Sequence, residues 1–296
     1  MQLSKEQLEQ FETDGYVIIP AVFSQAEIQR MKDESDRILE LCINSTLALG
    51  EHNARLDVRN RGGQMNVRKV QPVNDVSDYL EEVSRDERLL GPMRQLMGGH
   101  DPILMEEKLN YKQLLKQPVD FTHFYTGGRS HEDFFPLHHD WGYYRREGYP
   151  KSIISSALTI DDSDIDNGPM RIVPGTHTKD YPTVDPDPAS NNGRVDERLF
   201  GENERIPLLF PAGSVMFFHS MLLHDSVENH SGRPRRIMIY SHYPSNHKAE
   251  EDKRNCALRD KAREQESRYR EMLANKQFAN QFHAKGEYST PLEAAT

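Results

Sequence analysis

The chain has 296 residues, 36% of them hydrophobic, and a formal net charge of −10 with acids and bases mixed along its length. That length suffices to bury a sizeable core, and the acidic balance excludes the basic footprint of a nucleic-acid-binding protein. Two cysteines are too few for a disulfide scaffold, no apolar run approaches the roughly 18 residues of a membrane span, and the polar start is unlike a signal peptide, so a cytoplasmic protein is expected.

Ser4 and Gln7 form a capping-box pattern ahead of Leu8 and Phe11 at helical spacing, and Gly15 ends that helix. Tyr16–Ile19 predicts a short strand closed by Pro20. Ser24 and Glu27 repeat the capping pattern, and Ile28, Met31, Ile38 and Leu41 mark a longer amphipathic helix. The polar, glycine-containing stretch 43–68 predicts a loop. "VSDYLEEVSRDERLLGPMRQLMG" predicts a helix broken near Gly91-Pro92.

After residue 101 the texture changes to short β-rich runs between turn signals, from "ILMEEKLNYKQLL" and "DFFPLHHDWGYY" to "RIPLLF", "GSVMFFHS" and "RRIMIYSHYP". Such a density of short strands predicts a sandwich or barrel. Beyond Pro244 the chain is charged and helical, with an apolar stripe at Leu258, Ala262, Tyr269, Met272 and Leu273. That stripe suits a helix packed on the barrel or a contact between subunits, in a monomer or homodimer. The expected organisation is one domain over 1–296, with helices in 1–100, a β core in 101–244 and a helical segment in 245–296.

The chemistry concentrates in "PLHHDWGYY". His138 and Asp140 are two apart, which on a strand puts both side chains on one face and His139 on the other. An imidazole and a carboxylate on one face supply two neighbouring metal ligands. "SVMFFHSMLLHDSVEN" offers a third in His219 or His224. Two histidines and a carboxylate make the facial triad of non-haem Fe(II) oxygenases, with three coordination positions open. Eleven residues beyond His224, Arg235 begins what reads as the next strand and is suited to a bidentate grip on a carboxylate. Ser226 lies on the same side as His224 and adds a hydroxyl; Arg233 and Arg236 read as surface charges.

With these residues placed, the chain resembles the phytanoyl-CoA dioxygenase family of Fe(II)/2-oxoglutarate oxygenases, which includes the ectoine hydroxylases. "LEQFETDGYVIIPAVFSQAEI", "HHDWGYY", "NGPMRIVPGTH" and "GSVMFFHSMLLHDSVENHSGRPRR" are similar to four family segments in the family's order. The resemblance implies a mainly β fold with flanking helices around a double-stranded β-helix, a cupin-like jelly roll. It implies iron on His138, Asp140 and His224, with 2-oxoglutarate and O2 as co-reactants. His219 then accompanies the motif without binding metal. Arg235 and Ser226 would hold the distal carboxylate of 2-oxoglutarate, Asn110 would lie near its metal-binding end, and Phe135 would wall the pocket. Lys108 and Lys112 are expected neighbours, and Asn167-Gly168 a turn that shapes the rim.

The expected reaction is hydroxylation of an unactivated carbon. The carboxylate of Asp140 argues against a halogenase, which needs that position vacated for chloride. Aromatic and basic residues near the motif, Tyr125, His131, Trp141, Tyr143, Tyr144 and Arg145, suit a small polar substrate bearing an acidic group. The same chemistry on an acyl-CoA or an apolar natural product is the alternative. A metal-dependent cupin-like isomerase or hydrolase, or a non-catalytic binding protein, would have no use for Arg235 and Ser226 beside a cosubstrate slot.

Overall fold

A computed structural model describes residues 1–61, 64–115, 123–124, 134–185, 192–247 and 253–275, the side chains of 60, 61, 64, 253 and 254 excepted. In chain order these form α1 (Lys5–Asp14), β1 (Tyr16–Ile19), α2 (Gln25–Leu49), β2 (Leu56–Arg61), β3 (Gln64–Val70), α3 (Asp78–Ser84), α4 (Glu87–Leu96) and β4 (Pro102–Leu114). There follow β5 (Phe135–His138), α5 (Trp141–Tyr144), β6 (Ile154–Thr159), β7 (Met170–Val173), β8 (Ile206–Pro207), β9 (Val215–His219), β10 (Leu223–Ser226), β11 (Ile237–Pro244) and α6 (Lys253–Ala274).

Both predicted capping boxes are present, at Ser4 with Gln7 and at Ser24 with Glu27. Gly15 closes α1 at φ +82, a conformation that costs other residues a Cβ clash. The loop expected at 43–68 is instead the end of α2 followed by a hairpin of β2 and β3. The expected break at Gly91-Pro92 falls earlier, where Asp86 caps α4, and Pro92 sits inside that helix.

Two antiparallel sheets carry the fold, in the orders β1-β9-β6-β11-β4-β3-β2 and β5-β10-β7-β8. Three strands of the larger sheet therefore come from the first 70 residues, where mainly helices were expected. Alternation along its central strands separates two cores. Val215, Phe217, Met238 and Tyr240 face the helices and pack with Ile28, Met31, Ile38 and Ile43 of α2. Met216, Phe218, Ile237 and Ile239 face the smaller sheet and pack with Met170 and Ile172. Because both faces are covered, Val215–Phe218 of β9 and Ile237–Tyr240 of β11 are continuous apolar runs, and each buried large side chain contributes about 1.5–3 kcal/mol.

The helix α6 lies against α2 and is tied there by a buried ion cluster. Arg55 reaches Glu266 at 2.7 Å and Asp75 at 2.7 Å, and the Gln265 side chain accepts from the Ala54 amide at 2.9 Å. Of the expected apolar stripe, Ala262 is buried here and Leu273 is exposed. Among the described residues no helix is long and apolar enough to cross a membrane.

Candidate active site

Strand β10 sits between β5 and β7 in the smaller sheet, and its pairing sets His224 opposite His138. Their rings lie 4.1 Å apart between centroids. Asp140 is not on the strand: the chain turns at φ −64, ψ −37, directly before the short helix α5. The Trp141 amide donates to the Ser220 carbonyl at 3.0 Å and holds that turn. The turn still delivers the carboxylate, with Asp140 Oδ1 3.6 Å from His138 Nε2 and 3.8 Å from His224 Nε2. The three side chains are buried, and one ligand atom from each lies within 4.8 Å of the others.

Both histidines are oriented by the backbone. His138 Nδ1 bonds the Pro136 carbonyl at 2.7 Å, and His224 Nδ1 bonds the Leu222 carbonyl at 3.0 Å. Donation at Nδ1 leaves each Nε2 lone pair facing the shared space, the tautomer a metal requires. Burial, with His138 close by, pushes the His224 imidazole down to about 4, so it is neutral at physiological pH. Burial alone would raise the Asp140 carboxyl, but Lys108 and the two histidines outweigh it and hold the group well below the usual carboxylate range.

The neighbouring histidines face elsewhere. His139 stacks on Trp141 and accepts from the Gly142 amide at 3.1 Å. His219 ends β9 in the other sheet, beside Phe11 and His177, and accepts from the Met221 amide at 3.1 Å. Of the two third-ligand candidates, only His224 reaches the site.

The triad opens into a cavity of about 520 Å³ between the sheets, also lined by Asn110, Phe135, Ser226, Arg235, Tyr143 and Tyr144. Arg235 is 3% exposed and donates to the Gly168 carbonyl at 2.7 Å, so the Asn167-Gly168 turn braces the arginine. Its position corrects the sequence expectation. Arg235 precedes β11 in the larger sheet and faces β10 across the cavity rather than beside it. Arg236 is not a surface charge: it is buried and spans Asp161 at 2.8 Å and Asp36 at 2.7 Å. Arg233 is half-exposed, paired with Asp164.

Strand alternation puts Glu106, Lys108 and Asn110 of β4 on the cavity face. Lys108 Nζ pairs with Glu106 at 2.6 Å, and the Tyr144 hydroxyl donates to the same carboxylate oxygen at 2.6 Å. Lys112, on the same face further along, spends its ammonium on the Val227 carbonyl. Trp141 and Arg145 do not line the cavity; the Trp141 indole is held outside it by the Tyr149 carbonyl at 3.1 Å. Tyr125 and His131 lie outside the described residues.

Sequence reasoning missed Asp57, Arg59, Arg68 and Lys69 from the β2–β3 hairpin, and Arg194, all of which line the cavity. The alternation in "LDVRNRGGQMNVRKV" around a Gly-Gly pair is the signal that would have found the hairpin.

The donor set fits the expected groups. Three buried N and O ligands, two on adjacent paired strands and one on the turn after the first, suit a ferrous ion with open positions. Ser226 Oγ and Asn110 Oδ1 are buried without a protein hydrogen-bond partner and line the same cavity as Arg235. A carboxylate-bearing molecule placed there would satisfy the hydroxyl and pair the guanidinium.

The family model for phytanoyl-CoA dioxygenase (PhyH) matches residues 11–237. Ectoine dioxygenase of Halomonas elongata is 25% identical over 247 residues, covering 79% of this chain and 68% of that protein. The peroxisomal phytanoyl-CoA dioxygenase of Bos taurus is 27% identical over 242 residues, covering 77% and 65%. The fold matches that of EctD from S. alaskensis, crystallised with 2-oxoglutarate and 5-hydroxyectoine, at a TM-score of 0.62 and 20% identity over 84% of this chain and 78% of that one. The jelly-roll class and the dioxygenase expectation stand, and the chain belongs to the phytanoyl-CoA dioxygenase (PhyH) family.

Proposed function

We propose that the chain hydroxylates an unactivated carbon of a small, polar, acidic metabolite in an Fe(II)/2-oxoglutarate-dependent reaction. The observation that carries this is a buried His–Asp–His triad opening into a cavity walled by charged side chains, with a braced arginine and two unsatisfied polar atoms in its lining. Bound iron and 2-oxoglutarate supply the oxidising chemistry, in which O2 is consumed, succinate and CO2 are released and a C–H bond becomes C–OH.

The protein's part is placement. His138 and His224 present Nε2 because their Nδ1 protons are fixed on backbone carbonyls. Asp140 stays ionised because Lys108 and the histidines favour its charge. Arg235 and Ser226 hold the distal carboxylate of the cosubstrate, and the Asn110 amide reaches its other end. Phe135 closes the wall beside the triad, and Tyr143 and Tyr144 flank the substrate space. The cavity is within the usual range for small-molecule sites, about 300–1,000 Å³, and its charged walls favour a polar metabolite over an apolar natural product. The ectoine dioxygenase likeness supports a small polar substrate.

An anaerobic titration with ferrous iron tests the reaction class: 2-oxoglutarate should produce a weak metal-to-ligand absorption. A screen of small acids, amino acids, betaines, phosphonates and acyl-CoA esters, read as succinate above the uncoupled background, tests the substrate. Turnover stimulated only by acyl-CoA esters or apolar natural products would overturn the substrate reading.

A further inference from the structure

Two consecutive residues of β3, Arg68 and Lys69, both line the cavity. A regular strand sends neighbours to opposite faces. The register explains the exception. On the β2 side the pairing steps from Val58↔Val67 to Asp57↔Lys69, so one residue of β3 has no counterpart on β2. Arg68 is thus the extra residue of a bulge, and the buried positions shift from Val67 to Val70 across it. Bulges re-aim side chains beside active sites. Here the bulge turns a guanidinium inward, against the Phe135 ring at 4.0 Å.

Arg59 of β2 joins it. One carboxylate, Asp57, lies 3.4 Å from Arg59 and 3.6 Å from Arg68, and the buried Nε of each arginine has no hydrogen-bond partner. A third guanidinium comes from Arg194, whose backbone bridges directly to the triad residue His138. Cross-strand partners share a face, so Arg194 enters the cavity next to the metal ligand. Two glycines permit that approach: a Cβ on Gly142 would meet Gly193 Cα at 2.3 Å, and one on Gly193 would meet the His139 carbonyl at 2.2 Å. Among the described residues Arg194 has no ion-pair partner. Among the described residues the remaining acids of the wall are engaged, Asp140 within the triad. Glu106 pairs with Lys108, and Asp225 is held by Arg171 at 2.6 Å and Arg205 at 2.9 Å. Among the described residues three guanidiniums therefore share one carboxylate, Asp57, leaving an excess of two positive charges, with Lys69 beside them.

We propose that Arg59, Arg68 and Arg194 form an oxyanion subsite that takes a doubly charged phosphorus head group of the substrate, a phosphonate or a phosphate monoester. Two surplus charges match a dianion, and three forked donors match three terminal oxygens better than the two of a carboxylate. This rests on the reading of the cavity as the oxygenase active site and names the substrate class for it. The subsite is distinct from the Arg235 end, which the cosubstrate fills.

The test is calorimetric titration of anaerobic protein loaded with iron and saturating 2-oxoglutarate, using methylphosphonate, methyl phosphate and acetate as probes. At least one phosphorus probe should bind about tenfold or more tightly than acetate, and the tighter of the two names the head group. The double variant Arg59→Gln/Arg68→Gln should lose that preference. Arg59→Lys/Arg68→Lys, which keeps charge and bulk but not the fork, should retain part of it, and Arg233→Gln all of it. Acetate binding as tightly as both phosphorus probes, or an undiminished preference in the double glutamine variant, overturns the subsite. The ferrous 2-oxoglutarate absorption separates the two levels. Its presence without the preference sinks the subsite alone, and its absence from the unaltered protein sinks the oxygenase reading and the subsite together.

Discussion

Replacing Arg235 by alanine tests the cosubstrate end of the cavity most directly. The side chain is 3% exposed, and its Nη2 is held by the Gly168 carbonyl at 2.7 Å, so the guanidinium is fixed before any ligand arrives. A carboxylate bound there makes a desolvated, charge-assisted fork, and its loss costs about 2–4 kcal/mol. At 1.4 kcal/mol per decade, 2-oxoglutarate binding should weaken roughly 30- to 700-fold. The fold also loses the bond to Gly168, about 1 kcal/mol, so the melting temperature should fall only a few degrees. The assay is anaerobic titration of 2-oxoglutarate into the ferrous protein, followed by its metal-to-ligand absorption. Arg235→Lys should fall between wild type and alanine, because it keeps the charge but not the two parallel donors. Arg233→Ala should bind normally, since Arg233 spends its charge on Asp164 at the surface. Equal affinity in Arg235→Ala and Arg233→Ala would refute the assignment of the anchor.

His138→Ala, Asp140→Ala and His224→Ala should each abolish stoichiometric iron, measured by metal analysis after gel filtration, whereas His139→Ala and His219→Ala should retain it; iron at wild-type occupancy in His224→Ala would remove His224 from the ligand set. Arg236→Met strands Asp161 and Asp36, and breaking such a buried pair costs about 3–5 kcal/mol. A denaturation midpoint within error of wild type would show that pair to be energetically idle. Burial pushes His242 down to about 4, below its ordinary 6.5, so between those values the unfolded chain takes up a proton that the fold refuses. The stability from His242 is therefore full above about pH 6.5 and lost as pH falls toward 4. In urea titrations, His242→Gln should flatten the apoprotein's decline over that window by up to about 1.4 kcal/mol per pH unit, and an unchanged slope would contradict it.

The candidate triad was legible because His138, Asp140 and a distant histidine stand among four segments in the family's order, with Arg235 and Ser226 downstream; that order, not the His-x-Asp pair alone, chose His224 over His219. Its local geometry was not. Strand alternation was assumed for Asp140, yet the chain leaves the strand after His138, and the carboxylate arrives from a turn pinned by Ser220. The likeness of "RRIMIYSHY" to a next strand was sound, but which strand lies beside which is a long-range property. β11 pairs with β4 and β6, so Arg235 acts across the cavity. Arg236 looked like its exposed neighbour Arg233, and only the return of α2 with Asp36 and the approach of Asp161 distinguish them. The hairpin was lost to its own charges. Asp57, Arg59, Arg68 and Lys69 resembled a solvated loop because the surface they cover is an interior cavity, and the bulge at Arg68 breaks the alternation that marks a strand.

The distribution of the site over the two sheets has a consequence for how this protein selects its substrate. His138 and His224 stand on adjacent paired strands of the smaller sheet, and Asp140 on the turn that follows His138. The cationic wall stands mostly on β2 and β3, the last two strands at one edge of the larger sheet. The placement of His138 and His224 depends on the β5–β10 pairing and two backbone carbonyls, none of which involves the hairpin. β2 is the edge strand and β3 pairs only with β2 and β4, so charges there can be exchanged without touching the β5–β10 pairing. Arg194 is the exception. Its bridge to His138 ties substrate contact to the metal ligand itself, and the Gly142–Gly193 approach leaves no space for rearrangement. Substitutions at Arg59 or Arg68 should therefore alter which molecule is oxidised and leave iron occupancy intact. A change at Gly193 should damage both at once, because the added Cβ must push the His139 carbonyl and the turn that carries Asp140.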